Sequence, residues 1–199
     1  KISGGDTTLG KNISISVFAI GYSKKIIKRN NAKVYDDIYL TGNIGDSYAG
    51  LKILKGQIRN KSKNLINYFK NKYYLHDIPH EIINLLKLYA NTSIDISDGL
   101  IVDINKLINT QNLSYELYLD KIPISTNLKK LIKLNNLKKE NLIFNGDDYQ
   151  TVFTAPKIYR RKIYKSARKI NQKVSIIGRI IRKKSFNSLL IGQNAINTR

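Results

Sequence analysis

The 199-residue chain has no cysteine, no methionine and no tryptophan, and only two histidines and three prolines. Without cysteine there can be no disulfide framework and no thiolate metal site. The histidines, His76 and His80, lie four apart with Pro79 between them and no third ligand nearby, so we read no histidine metal centre. No apolar run approaches the ~18–20 residues that a membrane-spanning helix needs. The first residues carry no apolar signal segment. A cytoplasmic enzyme or binding protein is the class that remains, with length for one or two compact domains. The missing methionine leads us to expect a piece of a longer or processed chain.

Acid is the next scarcity. There are 14 Asp+Glu against 35 Lys+Arg, a net charge of +21. Such charge can serve nucleic-acid binding through counterion release. Here, though, the cations are spread over nearly every segment among abundant Asn and Ile, the pattern of compositional bias rather than of a nucleic-acid interface. The few acids are placed more tellingly. Asp6, Asp46, Asp95, Asp98, Asp147 and Asp148 all sit in loops flanked by glycine.

Period-two alternation at Ile13, Ile15, Val17 and Ala19 predicts a first strand, and Asp37–Thr41 a second. Gly42–Ser47 reads as a turn into a helix capped by Asp46 or Ser47 and ending near Gly56. Helical spacing follows through Leu65–Phe69 and again through Ile82–Tyr89, after Pro79. Ser93–Ile96 predicts a short buried strand. Asp98 then starts a helix with Leu100, Ile101, Ile104, Leu107 and Ile108 on one face. A strand at Tyr115–Leu119, a helix capped by Ser125, a strand at Tyr149–Thr154 and a basic helix over Pro156–Ile170 come next. Two last strands, Val174–Ile181 and Phe186–Ile191, read as a hairpin. Strands and helices mix without strict alternation, which predicts an α+β fold, a layered α/β sandwich with a mixed sheet.

Four motifs carry chemistry. In Ile94-Asp95-Ile96-Ser97-Asp98-Gly99-Leu100, a strand ends in two carboxylates and a hydroxyl before a helix. Two carboxylates that share a spot repel unless a cation lies between them, and magnesium takes carboxylates together with substrate phosphates. The helix N-terminus adds backbone donors for phosphate. The same residues also suit plain helix capping. Gly4-Gly5-Asp6-Thr7-Thr8 offers similar hard oxygen ligands on a loop that permits close approach, or is a simple turn. Gly42-x-x-Gly45-Asp46-Ser47 is a glycine turn with a cap. Asn145-Gly146-Asp147-Asp148-Tyr149-Gln150 sets adjacent acids on a turn, either solvated or facing a cationic ligand.

In this order and spacing, from Gly4 to about Gly178, the motifs resemble the thiamine-monophosphate kinase family of the aminoimidazole ribonucleotide synthetase-like ATP-binding superfamily. The resemblance implies that residues 1–30 are a remnant of an N-terminal ATP- and metal-binding domain and residues 31–199 a C-terminal α/β domain. It implies Mg2+ held by Asp6, Asp95 and Asp98, ATP contacted by Gly5, Asp6, Arg29 and Ser97, and thiamine monophosphate contacted by Asp147. The implied reaction makes thiamine diphosphate and ADP in an enzyme that dimerises through the missing domain. This piece alone is then expected to be nearly inactive. Asn145, His80 and Gln150 depart from the family pattern at positions usually Gly, Arg and Glu. The family's aromatic substrate contact near the C-terminus has no clear match before Arg199. A sibling ATP-dependent synthetase, or a non-catalytic basic nucleic-acid-binding module, is the alternative.

Overall fold

The structure, a computed structural model, describes residues 3–59, 62–184, 187–191 and 194–198, the last two segments for their backbone only. Its centre is a seven-stranded sheet in the order β2-β4-β1-β5-β3-β6-β7. The strands are β1 (Asp37–Thr41), β2 (Thr92–Asp95), β3 (Leu113–Tyr118), β4 (Thr151–Ala155), β5 (Val174–Arg182), β6 (Asn187–Ile191) and β7 (Asn194–Thr198). The first five pair antiparallel, whereas β6 runs parallel to β3, so the sheet is mixed as expected.

The helices are α1 (Asp46–Leu54), α2 (Lys63–Tyr74), α3 (Ile83–Tyr89), α4 (Leu100–Leu107), α5 (Thr126–Asn135), α6 (Glu140–Ile143) and α7 (Arg160–Lys169). Strand residues alternate between sheet faces, and β1 is buried on both. Ile38 and Leu40 face one side, where they join Ile177, Ile180, Tyr115 and Leu117 beneath the apolar stripe of α4. Tyr39 faces the other side and stacks on Phe153, ring centroids 4.9 Å apart, under Leu85 of α3 and Ile163 and Ala167 of α7. A third apolar cluster joins α1, α2, α5 and α6 through Ala49, Phe69, Leu128, Leu131 and Leu142. This helix–sheet–helix layering is the sandwich the sequence predicts.

Four local expectations are corrected. Residues 13–19 form no strand, and Ile13, Ile15 and Val17 are 95%, 83% and 85% exposed. Alternation makes a strand only where a neighbour takes its amides, and none of the described residues does so here. The strands expected to pair as a hairpin, β5 and β6, are not neighbours. The free edge of β5 is already occupied by β3, so β6 adds to the far side of β3. The N-cap of α1 is Gly45 at φ 91°, without a side-chain cap from Asp46 or Ser47. That of α4 is Gly99 at φ 127°, one residue beyond Asp98. By contrast, Ser125 caps α5 as expected, its hydroxyl accepting from the Leu128 amide at 2.9 Å.

Candidate functional site

The turn between β2 and α4 is organised by a residue from inside the helix. Asp103 is fully buried, and its Oδ2 accepts hydrogen bonds from the amides of Ser97, Asp98 and Gly99 at 3.0, 2.9 and 3.1 Å. Its other oxygen accepts from Lys106 Nζ at 2.9 Å, and Lys106 also pairs with Asp98. One carboxylate thus satisfies two amides of the turn and that of the N-cap, Gly99, which a helix start leaves without a partner. The signal was available in the sequence. Asp103 occupies an apolar-stripe position between Leu100 and Leu107, where a carboxylate has to find donors.

The Asn145–Gln150 loop zips onto this turn. The Asp147 amide donates to Ser97 O at 3.0 Å, the Tyr149 amide to Ile96 O at 2.9 Å, and the Ile96 amide to Gln150 O at 2.8 Å. These bonds prolong the β2–β4 ladder, whose last register pair is Asp95 with Thr151. Contact is so close that a Cβ on Gly146 would stand 1.9 Å from Ser97 O. Asp147 and Tyr149 both adopt left-handed backbone, φ 66° and 50°. Asp visits that region more readily than a bulky Tyr, and strain of this kind collects at functional loops. The Tyr149 ring packs against His76, centroids 4.6 Å apart.

The adjacent acids of this loop have opposite fates. Asp147 is half-exposed, and its carboxylate has no partner among the described residues. Asp148 is buried and accepts from the amides of Gly45 at 2.8 Å and Ser47 at 3.4 Å. It therefore supplies, from 103 residues away, the cap that α1 lacks locally. Beside it, buried Asp46 accepts from Tyr68 and Ser125 hydroxyls, both at 2.7 Å.

Burial, opposed by the two amide bonds, pushes the Asp148 carboxyl up from 3.8 to about 7. Between those values the folded chain keeps a proton that the unfolded chain releases. The contribution of Asp148 to stability therefore falls as pH rises from about 4 to about 7, by at most about 1.4 kcal/mol per pH unit. Asp148→Asn is expected to flatten this limb in urea denaturation series run between pH 4.5 and 8. An unchanged slope would mean that this carboxyl ionises as freely as a solvated one.

Four of the residues singled out in the sequence meet at one end of the sheet. Asp95 ends β2 with an exposed carboxylate that has no partner among the described residues. Ser97 and Asp98 form the turn, and Asp147 is bonded to it. Gly5, Asp6 and Arg29 are not brought there. Residues 3–36 hold no helix or strand, and among the described residues the Asp6 carboxylate accepts only from the next amide, at 2.8 Å. Arg29 is exposed. Its neighbours Lys28 and Asn30 bond to Thr92 and Leu107, the ends of β2 and α4 remote from the turn. Among the described residues no group of three or more His, Asp or Glu stands in metal-holding geometry. Asp95 and Asp98 carry the hard oxygens that magnesium takes, but Asp98 is already paired with Lys106.

This mixed sheet, sandwiched by helices and carrying a β-turn-α acid motif locked to a second acidic loop, defines a class. The chain belongs to the AIR synthase related protein family, whose C-terminal domain matches residues 33–190. Within it, the chain is similar to thiamine-monophosphate kinases. It is 34% identical over 195 residues to that of Buchnera aphidicola from Schizaphis graminum, covering 97% of this chain and 60% of the relative. To that of Buchnera aphidicola from Acyrthosiphon pisum it is 38% identical over 180 residues, covering 86% and 54%. The crystal structure of thiamine monophosphate kinase from Aquifex aeolicus superimposes with TM-score 0.74 at 24% identity, over 89% of this chain and 57% of that one. AaThiL complexed with AMPPCP and TMP superimposes with TM-score 0.71 at 25% identity, over 87% and 52%. The chain thus spans little more than half the length of these relatives. No helix of the described residues is long and apolar enough to cross a membrane.

Proposed function

We propose that the protein to which this chain belongs transfers the terminal phosphoryl group of ATP to thiamine monophosphate, giving thiamine diphosphate and ADP. The observation that carries this reading is the locking of the Ser97–Gly99 turn to the Gly146–Tyr149 loop, which sets two unpartnered carboxylates, Asp95 and Asp147, at one end of the sheet. Phosphoryl transfer depends on alignment and charge neutralisation more than on covalent help from the protein. In this reading Asp95 and Asp98 hold magnesium, which supplies charge neutralisation of the ATP phosphates when bound. Ser97 orients the nucleotide. Asp147 faces the cationic thiazolium ring, where a carboxylate is attractive. The acceptor is a phosphate oxygen, already ionised, so no side chain is assigned as general base.

Gly5, Asp6 and Arg29 join the nucleotide site in this proposal only when residues 1–30 pack with a further domain, through which the protein forms a homodimer. Residues 1–199 alone are then nearly inactive. The complete protein, mixed with ATP, magnesium and thiamine monophosphate, is expected to form thiamine diphosphate, separable by chromatography. Asp95→Asn is expected to abolish product while leaving the fold intact. Magnesium-dependent ATP binding without any thiamine diphosphate would discard the substrate and favour a sibling synthetase.

A further inference from the structure

We propose that the groove between α7 and the open sheet face at the Asp37 end of β1 is a binding site for a small phosphate-bearing anion, separate from the loops around Asp95 and Asp147. The separation follows from register. Leu40, beside Thr41, pairs with Val152 on the side of β4 nearest the loops, whereas Asp37 pairs with Ala155 at the other end. On this face α3 and α7 cover β4, β1 and the start of β5 with apolar side chains. Beyond α7 the sheet changes character. Glu116 and Arg179 are paired residues of β3 and β5, and Tyr118 ends β3. The cavity there measures about 360 Å3, in the range of a small-molecule pocket.

Four cations line it, Lys121, Lys157, Arg160 and Arg179, against one acid, Asp37. Two of them are held in place rather than waving in solvent. Asp37, buried, takes Arg160 Nε at 2.6 Å and Nη2 at 2.7 Å. Glu116, also buried, takes Arg179 Nε at 2.7 Å. Each guanidinium is thereby oriented with further N–H donors unspent among the described residues, the planar fork that suits phosphate oxygens. Lys157 has no partner among the described residues. Lys121 rests only on the Tyr118 ring, 4.7 Å from its centroid. Tyr118 and Tyr164 add hydroxyls to the walls.

A second observation marks the same spot. Asp37 and Glu116 neutralise Arg160 and Arg179, which leaves Lys121 and Lys157 without an acid of their own among the described residues. Converging cations repel unless an anion joins them. A phosphate answers the shortage of negative charge, and the pocket's size favours a phosphate or diphosphate carried on a small molecule over a polymer.

The test titrates the 199-residue chain with inorganic pyrophosphate by calorimetry, at fixed ionic strength and without divalent cations. One site is expected. The exposed pair Lys121→Glu with Lys157→Glu should weaken it at least tenfold. The equally charged change Lys130→Glu with Lys133→Glu, on α5, should leave it within twofold, as should Asp95→Asn. Circular dichroism confirms that each variant folds. Equal affinity in all variants, or equal weakening by the α5 pair, overturns the proposal in favour of diffuse charge. Binding that needs added magnesium and is lost in Asp95→Asn overturns it in favour of the loops. A single-stranded oligonucleotide that displaces pyrophosphate with affinity rising with its length overturns the small-molecule assignment.

Discussion

Replacing Asp103 with alanine is expected to lower the stability of the chain by about 3 kcal/mol, roughly 1 kcal/mol for each of three amides left without their acceptor. The three amides of Ser97, Asp98 and Gly99 lose their common acceptor, and Lys106 keeps only Asp98. Asp103→Asn retains one oxygen and the side-chain volume, and is expected to cost about 1–3 kcal/mol. Urea denaturation followed by circular dichroism measures both. Hydrogen exchange at residues 97–99 should quicken in both variants even where the fold survives, because these amides are held by that carboxylate. A loss below about 1 kcal/mol for Asp103→Ala would mean that water replaces the carboxylate and that the turn is self-supporting. On the function proposed above, nucleotide binding in the complete protein falls with the turn.

The second large effect is expected at Gly146. The atoms that an added Cβ would meet are Ser97 O at 1.9 Å and Ser97 C at 2.7 Å. Both are backbone, so no rotamer change relieves the clash. The loop must lift from the turn, weakening the bonds from the Asp147 and Tyr149 amides. Overpacking of this kind costs about 1–3 kcal/mol, and each lost hydrogen bond about 1 kcal/mol more. Gly146→Ala is therefore expected to cost about 3 kcal/mol in total. Gly56 is the control. It has φ +68° but nothing within 4 Å of an added Cβ, so Gly56→Ala bears only the backbone penalty, about 1 kcal/mol. Chemical denaturation that finds the two substitutions equal would remove the tight loop-to-turn contact from the account of the site.

The sequence made part of this site readable because the acids are so few. Against 35 basic residues, carboxylates set beside Gly99 and Gly146 stand out, and the backbone of the turn that carries Asp98 is bonded to that of the loop that carries Asp147. What local pattern could not reveal was long-range. Asp147 and Asp148 look alike as neighbours on a turn. Only the approach of Gly45, brought near by the pairing of β1 with β4, decides that one faces outward and the other caps a helix. Asp103 stands out as an acid in an apolar stripe, but its spacing does not say which amides it takes. The strand expected at residues 13–19 shows the reverse error. A period of two states which faces a strand would have, and it says nothing about whether a neighbour exists to pair with it. The order of the last strands was equally beyond local reading, because the pairing of β6 with β3 depends on which sheet edge is still open after β5 has docked.

The central strand β1 has a consequence for how the chain is made. It is buried along its whole length and pairs on both sides with strands from the second half of the chain, β4 and β5. Thr41 and Thr151, joined by a side-chain hydrogen bond, are 110 residues apart. At synthesis rates of roughly 5–20 residues per second, β1 leaves the ribosome roughly 5–20 s before its first neighbour exists. Through that interval an apolar strand with both edges open is available to other chains. Production of the protein at high concentration thus depends on what shields Asp37–Thr41 while the rest is still being translated.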